Sequence, residues 1–136
     1  MAETYSAVYP QKKTLLKYGN NKIIAYLNEK PMANYLPDNA MESQKPFDGF
    51  QYTGTERDGG TILDCPDAGN YDDVVNALIR ASYSQSREDS IYRHQVAMSK
   101  GLITDDDEKE KYEKEFDDFN AYCEDAKTLA KSWLEL

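Results

Sequence analysis

Apolar residues along this chain recur at two different spacings, and the change falls near residue 67. Before it the apolar runs are short and bounded by turn residues. Thr14-Leu15-Leu16-Lys17-Tyr18 and Lys22-Ile23-Ile24-Ala25-Tyr26-Leu27 flank Gly19-Asn20-Asn21. Two such runs around a Gly-Asn turn predict a β-hairpin. Residues 28–48 hold Pro31, Pro37 and Pro46 among Asn, Asp and Ser. Proline removes a backbone donor and fixes φ, so this stretch reads as a loop or an extended arm. Phe50-Gln51-Tyr52-Thr53, a turn through Arg57-Asp58-Gly59-Gly60 and Thr61-Ile62-Leu63 predict a second hairpin.

After residue 67 the spacing is helical. Asp67 to Asn70 supply capping residue types ahead of Val74, Val75, Leu78 and Ile79, which share one helical face. Asp72 and Asp73 favour the positive end of that helix dipole. A break is expected at Tyr83-Ser84, with Ser84 or Ser86 capping a second helix through Ile91, Gln95 and Met98, and Gly101 as its stop. Thr104-Asp105-Asp106-Asp107 resembles a capping box opening a third helix. There Tyr112, Phe116, Phe119, Cys123, Ala126, Ala130 and Trp133 alternate in steps of four and three, so they form one stripe. A helix over about 105–135 would be on the order of 45 Å long. It needs both shorter helices, end to end, to cover its apolar side. Packing on those two helices within the same chain is the expected use of the stripe, and a coiled coil with another copy or another protein is the alternative.

The expected class is therefore α+β. Residues 1–66 form short β-hairpins and an extended docking arm. Residues 67–136 form a helical module whose long final helix packs antiparallel on two shorter ones.

Charge sharpens this division. The chain carries 25 Asp and Glu against 16 Lys and Arg, a formal charge of −9. Residues 1–66 are nearly balanced, with seven basic and eight acidic side chains, whereas residues 67–136 carry nine against seventeen. Such a surface repels phosphate backbones and anionic bilayers, so neither nucleic acid nor membrane is an expected partner. No apolar segment approaches the roughly 20 residues that span a bilayer. Met1-Ala2-Glu3-Thr4-Tyr5 has no signal-peptide pattern, so synthesis and folding in a cytosol are expected. Cys65 and Cys123 stand apart, without CxxC spacing, and read as reduced, partly buried thiols. Eleven Tyr against four Phe and one Trp hint at protein interfaces, because tyrosine joins a flat apolar body to a wet tip.

Candidate chemistry is sparse. His94 is the single histidine and falls between Arg93 and Gln95 at the boundary of a helix face. One His and two distant Cys make a poor zinc set. Asp105-Asp106-Asp107-Glu108 fails as a calcium loop, because Glu110 stands where the turn glycine is required. Gly59 and Gly60 lack the companions of a phosphate cradle. The many carboxylates read as a solvated face. No catalytic residue, metal ligand or cofactor site is expected.

Leu78-Ile79-Arg80-Ala81-Ser82-Tyr83-Ser84, the helix through Ile91-Tyr92-Arg93, Glu115-Phe116-Asp117-Asp118-Phe119-Asn120-Ala121-Tyr122-Cys123-Glu124 and Ala126-Lys127 together resemble small structural proteins of bacteriophages and prophages from gut bacteria. The resemblance covers roughly residues 74–131. The chain departs from that pattern by the insertion from Lys100 to Lys111 and by Tyr92-Arg93-His94-Gln95 in place of an Arg-Gln-Arg-like segment. The resemblance implies a virion component of the tail, neck or fibre apparatus, assembled in the bacterial host cytoplasm. It would act by attachment to other virion proteins or to copies of itself. Tyr5, Tyr9, Tyr18, Tyr26 and Tyr35 are the candidate contacts, since tyrosine anchors many interfaces. Two alternatives are an assembly factor that binds a tail or fibre protein and leaves, and an acidic mimic of DNA motivated by residues 105–118.

Overall fold

A computed structural model of the chain describes residues 3–38 and 40–136; Asn39, inside the expected loop, lies outside them. Contacts divide the chain into two compact units, Met1–Ala68 and Gly69–Leu136, two residues beyond the division read from the sequence.

The first unit is built from six short strands in two antiparallel three-stranded sheets. The strands are β1 (Tyr5–Tyr9), β2 (Leu15–Lys17), β3 (Lys22–Ala25), β4 (Lys30–Tyr35), β5 (Phe47–Gly54) and β6 (Thr61–Asp64). One sheet runs β1-β5-β4 and the other β2-β3-β6. The Gly-Asn hairpin forms as expected, with Leu15 opposite Ala25 and Lys17 opposite Ile23. Gly19 and Asn21 take the left-handed conformations the turn requires, at φ 60° and 59°.

The second hairpin does not form. Its two strands exist, but β5 is the centre of its sheet, with β1 on one edge and β4 on the other. Both of its hydrogen-bonding edges are taken, so β6 adds to β3 instead. The turn through Asp58 and Gly59 (φ 85°) redirects the chain from one sheet to the other. It is held by Gly59 N–H donating to the Glu56 carbonyl at 3.0 Å and Gly60 N–H donating to an Asp58 carboxylate oxygen at 2.9 Å.

The expected arm is also structured in part, as β4. Proline is tolerated in an edge strand, where its missing donor leaves no ladder bond unmade, and Pro31 sits there opposite Phe50. The pairing is irregular between Met32 and Tyr35. Asn34 in that interval has φ 51°, and its N–H donates to Asp48 at 3.0 Å. The core of this unit holds Tyr52, Ile23, Ala25, Tyr26 and Cys65.

The second unit holds three helices: α1 (Tyr71–Arg80), α2 (Gln85–Ser99) and α3 (Asp106–Leu134). Side chains of Asn70, Ser84 and Asp105 cap them, each accepting a backbone N–H three residues on at 3.0–3.1 Å. The third cap is Asp105, one residue later than the expected Thr104. That register puts Glu108 at the third helical position, where a capping-box acid belongs.

Contacts along the helices fix their directions. The Leu78 carbonyl meets Tyr122, Tyr83 meets Phe119 and Tyr122, Tyr92 meets Phe116 and Phe119, and Gln95 meets Tyr112. Partner numbers on α3 fall as the chain advances, so α3 runs antiparallel to both shorter helices. Its stripe faces them: Phe119, Ala126 and Ala130 are buried, and Tyr112, Phe116, Cys123 and Trp133 are half-buried. The stripe is thus engaged within its own unit. Val74, Val75, Ala77, Leu78 and Ile91 complete this core.

Candidate interaction surface

The five tyrosines marked from the sequence do not form one patch. Tyr5 and Tyr9 are half-buried on β1, whereas Tyr35 is half-buried on β4, the opposite edge of the same sheet, with its ring 5.7 Å from Phe47. Tyr18 is exposed beyond β2. Tyr26 corrects the expectation, because it is 4% exposed and belongs to the core. Its ring meets Tyr9 at 6.0 Å and Tyr52 at 5.8 Å, so its flat body is spent inside the unit.

Hydroxyls in this cluster are committed to internal partners. Tyr52 accepts from the Lys13 N–H at 2.8 Å and donates to Glu29 at 2.7 Å. Tyr26 donates to Asp58 at 2.9 Å. Burial first, and then the hydrogen bond to a carboxylate, push both phenols up to about 12. The Lys13 ammonium lies over the Tyr9 and Tyr26 rings, 4.9 and 5.3 Å from their centroids.

His94 links α2 to α3. Its Nδ1 stands 2.9 Å from a Glu115 carboxylate oxygen, and its ring stacks on Tyr112 at 3.9 Å and 16°. Both interactions serve helix packing. Burial raises the Cys123 thiol above its ordinary range, which disfavours the nucleophilic thiolate. Among the described residues, no group of three or more His, Cys, Asp or Glu could hold a metal ion, and every buried side-chain nitrogen or oxygen has a hydrogen-bond partner. Among them, too, no helix is long and apolar enough to cross a membrane.

The surface that stands out is the outer side of α2. Ile91 points inward and is fully buried, while His94 and Gln95 turn toward α3. That leaves Tyr92 and Val96, one helical turn apart, facing outward at 48% and 55% exposure. Leu102, past the end of the helix, is 72% exposed. With Asp89, Arg93, Ala97 and Lys100 these residues line an open groove of about 530 Å³. Tyr92 is fixed from behind by edge-on contacts with Phe116 and Phe119 at 6.3 and 5.9 Å, so its exposed edge is already positioned. Asp89 accepts from Gln85 at 2.9 Å.

Nothing in the sequence expectations singled out this face. Its signal was present, because Tyr92 and Val96 repeat at helical spacing on a second side of α2, away from the Ile91–Gln95–Met98 line. Comparison with protein-family models, with curated proteins and with solved structures finds no match.

Proposed function

We propose that this chain works by attachment to other proteins, as a structural component of a bacteriophage particle in the tail, neck or fibre apparatus. The observation that carries attachment is the apolar groove on α2. Three large apolar side chains lie exposed together there, with charged residues around them, the pattern of a small protein-contact surface. Open strand edges in both sheets add a second means of contact, through backbone hydrogen bonds to a partner strand. The particle assignment draws its support from the resemblance over residues 74–131.

In this reading the protein carries no catalytic site and needs no cofactor. Its partners are other virion proteins or further copies of itself, and neither nucleic acid nor a membrane is among them. Assembly takes place in the bacterial host cytoplasm, and the protein remains in the virion.

Quantitative mass spectrometry of purified particles tests this. A structural component is present at a fixed number of copies per particle. An assembly factor that binds a tail or fibre protein and departs is abundant in the lysate and absent from the particle, which would replace the structural reading with that alternative.

A further inference from the structure

Asp89, Tyr92, Arg93, Val96, Ala97 and Lys100 form one outward face of α2, and its order along the helix is complementary to its own reverse. Consider two copies of α2 laid antiparallel about a two-fold axis at the level of His94 and Gln95. Asp89 of each copy then stands opposite Lys100 of the other. The aliphatic stem of Arg93 lies against Val96, while Tyr92 and Ala97 flank this seam on its two sides. Each opposition occurs twice, as a two-fold interface requires.

Charge marks the same face. Arg87, Arg93 and Lys100 against Glu88 and Asp89 make residues 85–102 slightly basic in a chain of net charge −9. By contrast α1 has one basic and two acidic side chains, and α3 has five and ten. An acidic protein can therefore bring α2 against a second copy with least repulsion. Arg93 and Lys100 form no ion pair among the described residues, so both are available to a partner.

We infer that the outer face of α2 is a self-association surface, on which a second copy of this chain docks antiparallel, pairing Asp89 with Lys100 across the two-fold axis. The inference rests on the reading of this groove as a protein-contact surface, but not on the particle assignment. The face is small, so the dimer is weak in free solution and is favoured where copies are concentrated, as in an assembly.

Sedimentation velocity on the full chain across a wide concentration range tests it, with circular dichroism confirming that each variant is folded. The wild type passes reversibly from monomer to dimer. Asp89→Lys and Lys100→Asp, each setting like charges opposite one another twice, weaken the dimer by about ten-fold or more. The double variant Asp89→Lys with Lys100→Asp restores it to near the wild-type value. Val96→Asp, at a solvent-exposed position, abolishes it without unfolding the monomer. A wild type that stays monomeric at every concentration overturns the inference, as does a dimer that the single swaps leave unchanged or the double swap fails to restore. A monomer that is nevertheless found in particles would remove self-association and leave attachment standing. A dimer absent from particles would leave self-association through the groove standing and remove the particle assignment.

Discussion

At the scale of single residues, the surplus of tyrosine has a different use from the one its abundance implied. Tyrosine is suited both to interfaces and to buried sites where its hydroxyl finds a partner. Composition cannot separate the two, because the partners lie far away in sequence. Tyr52 is the clearest case: Lys13 and Glu29, which satisfy its hydroxyl, are brought to it by two other segments of the chain. Tyr52→Phe leaves the half-buried Lys13 N–H without its partner, while the exposed Glu29 keeps water and Lys12, with an expected loss of about 1 kcal/mol in urea unfolding. A loss below a few tenths would mean that water replaces the hydroxyl without cost. Alkaline pH probes the same groups. Tyr26 and Tyr52 ionise near their ordinary value of 10 in the unfolded chain but only near 12 when folded. Their contribution is therefore complete below pH 10 and is lost as pH rises from 10 through 12. Urea midpoints should hold level up to about pH 10 and then fall, less steeply in Tyr52→Phe; a flat profile to pH 12 would contradict the buried placement.

At the scale of elements, the helices were legible and the sheets only partly so. A helix is declared by neighbours three and four residues apart, and its cap stands beside it in the sequence. The caps were therefore readable to within a few residues: Asn70 is one of the 67–70 group, and Ser84 is one of the two serines in question. At α3 the sequence points to Thr104, whereas the cap is Asp105, one residue later. Asp105→Ala should cost about 1 kcal/mol of thermal or urea stability, whereas Thr104→Ala should be close to neutral. The opposite order of effects would shift the helix start by one residue. Strands depend on partners that sequence spacing does not name. β1 alternates legibly as Tyr-Ser-Ala-Val-Tyr, yet its place is set by β5, more than forty residues later. β4 carries a proline and an irregular register, which hide it from any period-two pattern. Because β1, β2, β3 and β4 all lie within residues 1–48, deleting that segment would dismantle both sheets. Such a truncation reports folding and cannot report docking.

At the scale of the whole molecule, the α+β class and the division near residue 67 follow from the switch in apolar period and from the uneven charge. The proposed contact surface does not. The stripe on α3 was the conspicuous apolar pattern, and it is occupied by α1 and α2. The surface proposed for a partner is a shorter second line on α2, which becomes visible only once Ile91, His94 and Gln95 are seen to turn inward. Attachment through Tyr92, Val96 and Leu102 is the claim on which the functional account stands. Its most direct test is the copy number of Val96→Asp in purified particles, measured by quantitative mass spectrometry beside the wild type. The expected result is a constant wild-type stoichiometry and a variant that stays folded in the lysate but falls by about ten-fold or more in particles. Equal incorporation of the two proteins would contradict it.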